Sequence, residues 1–435
     1  MEQYVQTKDS GVSWIQGIPS DWGIRVLFQL ADQVKNKNKD LAETNLLSLS
    51  YGKIKRKDIN NPEGLLPESF DGYNIIETDD IVLRLTDLQN DHTSLRVGQA
   101  KERGIITSAY TTLRPSNLIN PQYLYYVLHA YDLIKGFYGM GAGVRQGLNF
   151  DEVKMIKVPY PPLAEQEKIS IFLNKQVTEI DSIIEETKHS IENYRAWRAS
   201  IIAETVLGKR NTEEKKKSGV EWIDELPKGW EIARLKTLFS FGKGLPITKD
   251  NLTEEGIPVI SYGQIHAKFN NGTGIIEKLL RYVPDSFLQS NPESLVNKGD
   301  FLVADTSEDI GGCGNAVYID RNMTLFAGYH TIILKSLVGE NNKYLAYLFK
   351  TDAWRSQIRT KVSGVKLFSI SKKILSMNTV ILPPPEEQSQ IVDALDQKCK
   401  EIDSIIVEKE TLMSELEQYK RALIYDTVTG KRKVV

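Results

Sequence analysis

Two long segments of the chain share a repeating pattern of apolar and polar positions. Residues 164–207 contain neither proline nor glycine, and apolar side chains recur there at alternating spacings of four and three. Residues 386–429 repeat the spacing. The apolar positions are Leu173, Val177, Ile180, Ile184, Ile191, Tyr194, Ile201, Leu395, Cys399, Ile402, Ile406, Met413, Leu416 and Leu423. This heptad pattern predicts two long helices, each with a stripe suited to a coiled-coil interface.

Prolines before each segment, and Gly208 and Gly430 after them, are helix start and stop signals. A helix of about 44 residues is roughly 65 Å long, too long to bury its stripe against one small domain. We therefore expect the two helices to pack on each other. A helix that covers its own domain, or a seam between two copies of the chain, would fit the same pattern. Polar side chains fill the remaining heptad slots, at Thr187, Arg198, Lys409 and Lys420.

The chain is an internal repeat. An opening motif, Ser-Gly-Val-x-Trp-Ile followed by Pro and Trp, begins at Ser10 and recurs at Ser218. A second block contains two prolines followed by Glu-Gln, and further on the sequences Glu-Ile-Asp-Ser-Ile-Ile and Gly-Lys-Arg. The whole block recurs 222 positions later, so that Glu179–Ile184 is repeated as Glu401–Ile406. The first motif is displaced by 208 positions, so the second copy has gained 14 residues between its two conserved ends.

The segments between these conserved ends mix short β-rich runs with helical stretches. Ile81-Val82-Leu83 and Phe301-Leu302-Val303 are typical of strands, and Tyr123–His129 and Tyr344–Phe349 of helices. An α+β fold is the best prediction for each copy. The expected organisation is a first globular domain at 1–160, a helix at 161–208, a basic linker at 209–217, a second globular domain at 218–382, a second helix at 383–430 and a basic tail at 431–435.

The charge balance restricts where nucleic acid could bind. The formal net charge is −2 and the pI is near 6.3, which is not the overall signature of a nucleic-acid-binding protein. Residues 164–207 contain five basic and eight acidic residues, and residues 386–429 contain five and eleven. The helices are therefore acidic, and any basic surface must be local.

Basic and amide side chains of the globular domains are the candidate chemistry. Lys and Arg hold phosphates, whereas Asn, Gln and Arg can read base edges in the major groove. Both copies place a glycine and a cation just before the proline run, in Gly139–Gly147 and in Ser363–Lys366. A solvated basic loop would explain any single cluster equally well. The candidate DNA-binding residues are Lys53, Lys55, Arg56, Lys57, Arg84, Arg145, Gln146, Lys243, Lys249, Tyr262, Gln264, His266 and Lys366.

Enzyme and metal-site motifs are not found. The sequence lacks GxxxxGK[ST], HExxH and GxSxG, and its five histidines have no ligand spacing. We expect no catalytic residue and no metal site. Two distant cysteines, Cys313 and Cys399, suit a reducing cytosol better than a disulfide framework. The N-terminus has no apolar signal region, and no stretch approaches about 20 apolar residues. We therefore expect a cytoplasmic protein.

The paired arrangement closely resembles the DNA-specificity (S) subunit of type I restriction-modification systems, over essentially the whole chain. The resemblance implies two target-recognition domains, each contacting one half of a bipartite DNA site, and two spacer helices packed antiparallel. It also implies that this chain binds no cofactor. Two methylation subunits would bring S-adenosylmethionine, and two restriction subunits would bring ATP and Mg²⁺, in a phage-defence complex. The repeat is circular, so the C-terminus is expected near Ser10-Gly11-Val12.

Two other functions fit parts of the sequence. A coiled-coil scaffold with protein-binding heads would explain the helices and the repeat without DNA. A self-contained enzyme would require chemistry that the motif search does not find. Within the favoured family, the sequence leaves open which bases are read, the gap between half-sites, whether a restriction subunit is present, and whether the system is type I or a related methylation system.

Overall fold

The computed structural model describes residues 4–60, 69–140, 147–339, 341–364 and 366–434. They form two compact units. Unit 1 consists of Met1–Lys188 with Lys409–Val435, and unit 2 of His189–Glu408. Each unit combines strands and helices, which confirms the α+β prediction. No helix in these ranges is long and apolar enough to cross a membrane.

Unit 1 holds the first copy of the repeated domain. Its strands are β1 Thr7–Asp9, β2 Gly17–Pro19, β3 Gly23–Val26, β4 Ala31–Gln33, β5 Leu47–Ser50, β6 Lys53–Arg56, β7 Asn74–Ile76, β8 Ile81–Leu83, β9 Val97–Gln99, β10 Gly104–Ile106, β11 Thr111–Pro115 and β12 Lys157–Tyr160. Its helices are α1 Pro121–Leu133, α2 Phe150–Val153 and the first part of α3, Leu163–Val206.

Unit 2 holds the second copy. Its strands are β13 Lys215–Val220, β14 Ile223–Pro227, β15 Glu231–Arg234, β16 Phe239–Lys243, β17 Ile257–Ile260, β18 Arg281–Val283, β19 Leu295–Val296, β20 Phe301–Ala304, β21 Thr306–Ser307, β22 Ala316–Tyr318, β23 Leu325–Ala327, β24 Thr331–Ser336, β25 Phe368–Ser369 and β26 Thr379–Leu382. Its helices are α4 Leu235–Leu238, α5 Tyr262–Ile265, α6 Phe287–Ser290, α7 Lys343–Phe349, α8 Asp352–Arg359, α9 Lys372–Met377 and the first part of α10, Pro385–Val428.

Each unit contains a four-stranded antiparallel sheet with the same connectivity. The strand order is β4-β11-β8-β9 in unit 1 and β16-β24-β20-β22 in unit 2. The two β-rich runs noted in the sequence are β8 and β20, in which every side chain is buried. A continuous apolar run of this length is typical of a strand covered on both faces. The shared sheet is the structural frame of the repeat.

Outside this sheet the two copies differ. Unit 2 has a second four-stranded sheet, of order β18-β17-β23-β19, with a parallel pair β17–β23. Unit 1 has the corresponding strands as the hairpin β5–β6 and the pair β7–β10, which one parallel bridge between Leu46 and Ile105 links together. After the end of α3, regular structure in unit 2 resumes at Lys215, within the segment 209–217 that the sequence predicts as a linker. The arrangement of strands is therefore repeated, whereas the connections differ: two residues join β5 to β6, and residues 261–280 join β17 to β18.

Both long helices end in the same hydrogen-bonded cap. Gly208 and Gly430 have φ of 65° and 74°, in the left-handed region that favours glycine. The amide of Lys209 donates to the Glu204 carbonyl and that of Gly208 to the Thr205 carbonyl, at 2.9 and 3.1 Å. The same two bonds form around Gly430. This is the Schellman arrangement, and it explains why Gly-Lys follows each helix in the sequence.

A buried tryptophan ties each globular frame to both long helices. In unit 1 the Trp22 indole Nε1 donates to Oε2 of Glu165, in the first turn of α3, at 3.0 Å. Trp22 also lies against Gly430, just beyond α10. The start of one helix and the end of the other thus meet at one side chain, which makes the two helices antiparallel in this unit. Trp230 has the same role in unit 2, with Glu387 at 2.9 Å and Gly208 beside it.

The predicted seam positions are largely buried. Ten of the fourteen are buried, and the other four, Val177, Tyr194, Met413 and Leu416, are partly exposed. The polar heptad slots also have partners: Arg198 Nε is 2.9 Å from Asp403 Oδ1, and Lys420 Nζ is 2.6 Å from Asp181 Oδ1. Both aspartates belong to the repeated Glu-Ile-Asp hexapeptide, so the repeat places an equivalent ion pair in each unit.

The two ends of the chain lie in one unit, as the circular repeat predicts. The Tyr425 hydroxyl donates to the Trp14 carbonyl at 2.6 Å. Pro19 and Trp22 both lie within contact distance of the position a Cβ would take on Gly430. Residues just beyond α10 therefore adjoin the N-terminal motif, in the way that Gly208 adjoins Pro227 and Trp230 in unit 2.

Two glycines of unit 2 allow a matched test of this packing. Both Gly208 and Gly219 have positive φ. A Cβ added at Gly208 would lie 2.7 Å from Pro227 Cδ, whereas a Cβ added at Gly219 would have no described atom within 4 Å. Each alanine substitution should cost about 1 kcal/mol for the left-handed backbone. Gly208→Ala should cost a further 1–3 kcal/mol or so for overlap with the proline. Urea unfolding of the two variants measures the difference, and equal losses of stability would contradict the packing.

Candidate nucleic-acid interface

The hairpin β5–β6 displays the first group of candidate cations. Tyr51 and Gly52 form its two-residue turn with φ of 48° and 75°, as a type I′ turn requires. Because side chains alternate along a strand, Lys53 and Lys55 share one face, while Ile54 packs against buried core residues from the other. All four predicted cations here are exposed, namely Lys53, Lys55, Arg56 and Lys57.

Two of these cations have acidic partners. Arg56 Nε donates to Glu102 Oε1 at 2.7 Å, and this hydrogen bond holds the pKa of the Glu102 carboxyl below its usual range. Lys53 Nζ is 3.7 Å from Asp181 Oδ2 on α3. Ion pairs with such exposed cations contribute little to stability. The hairpin cations can therefore exchange these partners for phosphates at small cost.

The other candidates of unit 1 follow β8 or precede α2. Arg84 is half-buried, and its amide donates to the Arg96 carbonyl at 2.9 Å. The Leu148 amide donates to the Leu85 carbonyl at 2.8 Å, so the chain before α2 runs beside the end of β8. The predicted residues Arg145 and Gln146 lie outside the described residues.

In unit 2, Tyr262, Gln264 and His266 lie on and just after α5, which begins where β17 ends. Gln264 caps this short helix by accepting the Ser261 amide at 3.2 Å. His266 Nε2 is 2.8 Å from the Thr306 carbonyl, and Asn315 Nδ2 is 3.1 Å from His266 Nδ1. Both ring nitrogens therefore have partners within the unit. His266 joins α5 to the segment between β20 and β22.

The segment that carries Lys366 joins the same group of loops. β25, which follows Lys366, pairs with β21, and the Ile370 amide donates to the Asp305 carbonyl at 2.7 Å. Asp305 is in turn 3.1 Å from Nδ1 of the exposed His330. The Tyr262 ring packs edge-on against His330, with ring centroids 5.4 Å apart. The strand that follows Lys366 thus lies beside the loops that hold Tyr262 and His266.

Lys243 belongs to a different surface. It lines a cleft of about 590 Å³ with Lys335 and Lys372. Lys335 Nζ donates to the Glu293 carbonyl at 2.8 Å, and Lys372 Nζ to the Phe241 carbonyl at 3.2 Å. The sequence analysis missed both lysines, since Lys335 stands alone in the sequence and Lys372 forms only a pair with Lys373. Lys249 lies on the exposed 3₁₀ turn Lys249–Asn251.

Each unit also places a base at a matching position. His129 in α1 and Lys350 just after α7 follow Tyr123 and Tyr344 by six residues. Burial lowers the pKa of His129 to about 4 and that of Lys350 to about 8. His129 Nδ1 has no hydrogen-bond partner among the described residues. His129 is buried, whereas Lys350 is partly exposed and its ammonium donates to the Asn271 carbonyl.

The described residues provide no metal site and no activated thiol. They contain no group of three or more His, Cys, Asp or Glu side chains arranged to hold a metal ion. Cys313 and Cys399 are both free and buried, and burial raises the pKa of each thiol. A thiol with a raised pKa is a poor nucleophile.

Comparison with known proteins identifies the two copies. A family model described as the type I restriction modification DNA specificity domain matches the chain twice, at residues 19–193 and 227–417. Two similar proteins come from Methanocaldococcus jannaschii. The one designated the type I restriction enzyme MjaX specificity subunit is 25% identical, covering 99% of this chain and 98% of that protein. The MjaVIII specificity subunit is 22% identical, covering 96% and 94%.

Solved structures have the same fold. A chain from a study of complex assembly and conformational transition in a type I R-M system gives a TM-score of 0.64 at 15% identity, covering 94% of this chain and 98% of that one. The HsdS subunit of Thermoanaerobacter tengcongensis gives 0.50 at 16% identity, covering 95% and 98%. The family model covers most of the chain in two copies, one on each repeat. The chain therefore belongs to the type I restriction-modification DNA-specificity family.

Proposed function

We propose that this chain reads a bipartite double-stranded DNA target, with one half-site contacted by each unit. The observation that carries the proposal is that one frame is built twice with different loops. The four-stranded sheet and the tryptophan anchor recur in both units, whereas the connections between strands differ: two residues join β5 to β6 in unit 1, and residues 261–280, which include α5, join β17 to β18 in unit 2. Two different readers on one frame suit two different half-sites.

Chemistry on the DNA belongs to partner subunits in this proposal. Two methylation subunits bring S-adenosylmethionine and modify adenines, and two restriction subunits bring ATP and Mg²⁺. The chain itself binds no cofactor. Partner subunits around the duplex also supply part of the phosphate neutralisation, which accounts for a net charge of only −2 on this chain.

The predicted interface residues divide into two roles. Lys53, Lys55, Lys243 and Lys366 are exposed cations suited to phosphates. Tyr262 and Gln264 lie among loops that can approach bases, whereas both ring nitrogens of His266 are occupied, so we assign it to holding those loops. Arg56, Lys57, Arg84, Arg145, Gln146 and Lys249 remain predicted contacts.

Deleting the gene should remove one adenine-methylated motif from the host genome. The motif is expected as two short half-sites separated by a fixed gap, because one chain carries two recognition domains. Base-resolution methylation sequencing with and without the gene checks this and identifies the target. Retention of every motif while the gene is expressed would contradict the proposal and favour the coiled-coil scaffold.

Removing a phosphate-binding cation should weaken DNA binding irrespective of sequence. Lys243→Ala and Lys366→Ala should each lower the slope of log affinity against log salt by about one. Lys398→Ala is the charge-matched control, since this lysine lies on α10 between Glu401 and the Trp197 ring. Titration of the chain with its methylation subunits against duplex DNA gives the slopes. An unchanged slope in both test variants would show that neither lysine contacts a DNA phosphate.

Lengthening both long helices should widen the gap and leave the half-sites unchanged. Four residues inserted after Lys188 in α3 and after the equivalent Glu410 in α10 add about 6 Å of helix, close to two base pairs. Methylation sequencing reports the new gap. An insertion of the same length in the exposed loop at Val338 serves as the control. An unchanged gap in the helix variant would show that helix length does not set the spacing.

A further inference from the structure

The connection between β8 and β9 is an exposed loop, Asp87–Ser94, that the sequence analysis did not single out. Only Leu88 in it is fully buried. The exposed side chains are Asp87, Gln89, Asn90, His92 and Thr93. These are polar groups with little to contribute to the core, so the conformation of the loop requires another explanation.

A buried arginine holds this loop from within. The Arg96 side chain is fully buried. Its guanidinium donates to the carbonyls of Thr86 at 2.8 Å, Asp87 at 3.3 Å and Asp91. Its ion pair with the Asp91 carboxylate measures 3.5 Å. A buried guanidinium is costly unless its N–H groups are satisfied. Here most of the acceptors come from the loop, so the charge is satisfied only when the loop keeps this shape.

Residues from the segment after α1 complete the support. The Tyr138 hydroxyl accepts Arg96 Nε at 3.1 Å and donates to the Asp91 carbonyl at 3.0 Å. Its ring stacks on His92, with centroids 5.1 Å apart. Lys135 Nζ donates to the His92 carbonyl at 2.6 Å. The loop is therefore fixed at its middle as well as at its ends.

The loop and its support include a left-handed backbone residue and a buried carboxyl, both of which cost free energy of folding. Asp87 has φ of 57°, in the left-handed region. Asp132 Oδ2 accepts the Arg96 amide at 2.6 Å, but its Oδ1 has no partner among the described residues, and burial raises the pKa of this carboxyl to about 6. Strained backbone and buried polar groups of this kind persist where a rigid site is required.

The support is specific to the first copy. In unit 2 the corresponding connection, residues 305–315, is held by hydrogen bonds to His266 and by the Ser307 hydroxyl, which donates to the Asp309 carbonyl at 2.7 Å. The frame is common to both copies but this loop is not. It belongs to the part of the domain that distinguishes one reader from the other.

The exposed amides of the loop are suited to base recognition. A Gln or Asn side chain can pair with the N6 and N7 atoms of adenine through its donor and acceptor. Asn90 Nδ2 donates one hydrogen to Asp87 Oδ1 at 2.8 Å, which orients the amide and leaves its second N–H free to pair. Thr93 lines the same depression as Tyr51 and Lys53 of the hairpin. Lys53, a cation suited to phosphate, thus lies near one end of the loop.

We propose that the Asp87–Ser94 loop reads bases of one half-site, with Gln89 and Asn90 as specificity-determining residues and Arg96 and Tyr138 as positioning residues. The inference rests on the proposed function, because it requires that unit 1 contacts DNA. It adds which segment of unit 1 reads the bases and what holds that segment in place.

The test is sequence selection by the full chain with its methylation subunits, using two duplex libraries, each randomised in one half-site. The double variant Gln89→Ala/Asn90→Ala should lose roughly tenfold to hundredfold discrimination at one half-site and none at the other. Asn117→Ala is the matched control, because this exposed asparagine belongs to unit 1 but lies outside the loop. It should select the same two half-sites as the unaltered chain.

Tyr138→Phe tests the positioning role while keeping the ring that stacks on His92. Loss of the hydroxyl should reduce discrimination about threefold at the same half-site. A structural role alone would lower the melting temperature without changing the selected bases. Arg96→Lys keeps the charge but loses most of the guanidinium donors, so it should also reduce discrimination at that half-site.

The outcomes separate the two proposals. If the unaltered chain selects no bipartite sequence, the proposed function fails. If it selects one and the double variant keeps the same preference at both half-sites, the loop inference is overturned. Loss of both half-sites in the double variant, with Asn117→Ala intact, also overturns it, since the loop would then serve assembly and not base reading. A changed preference confined to one half-site supports it.

Discussion

In each unit a buried indole donates a hydrogen bond to a carboxylate in the first turn of a long helix. Trp22 binds Glu165, and Trp230 binds Glu387. Hydrogen bonds to charged groups are the stronger ones in proteins, and the loss of a buried partner leaves the other unsatisfied. The same tryptophan packs on the glycine that ends the other helix, so one side chain fixes both helices to the globular frame. The sheet, the loops and the DNA surface are all positioned from this anchor.

In the seam between the two long helices, the polar heptad positions determine the register in which the helices pair. Apolar side chains alone would allow the helices to slip or to pair in other registers, whereas an ion pair satisfies its charges in one register only. Arg198 with Asp403, and Lys420 with Asp181, provide such a pair in each unit. The positions that weaken the heptad pattern are thus the ones that select the register. A fixed register is what a helix pair needs if its length is to determine the distance between two DNA contacts.

The division between frame and loops gives the protein its function. The frame must be the same in both copies because each copy has to meet the same helix ends, and the strand order shows that it is. The loops take no part in the tryptophan anchor, and they differ between the two copies. In unit 1 they are held by a buried arginine, and in unit 2 by a histidine with both ring nitrogens occupied. Different buried side chains thus fix the conformation of each set of loops. A fixed conformation allows a few side chains to discriminate between bases.

The sequence by itself determined the repeat, the two long helices and their seam. These are local or periodic properties, because the heptad spacing, the prolines before each helix and the Gly-Lys after it can all be recognised in a continuous stretch of sequence. As a result, α3 and α10 begin and end within a few residues of the predicted bounds. The family likeness rests on the same motifs. The exposed hairpin cations could also be predicted, because Lys53–Lys57 form one dense run.

Only the tertiary structure decided which polar side chains meet. Lys335 and Lys372 join Lys243 across long sequence separations, and Arg96 acquires its role from loop carbonyls that surround it. His266, one of the candidate DNA-binding residues, has Thr306 and Asn315 as partners of its ring nitrogens. Contacts between distant residues leave no periodic trace in a single sequence, since any exposed lysine or polar loop has the same local signature whether or not it has a partner. The recognition surface therefore had to be found in the fold.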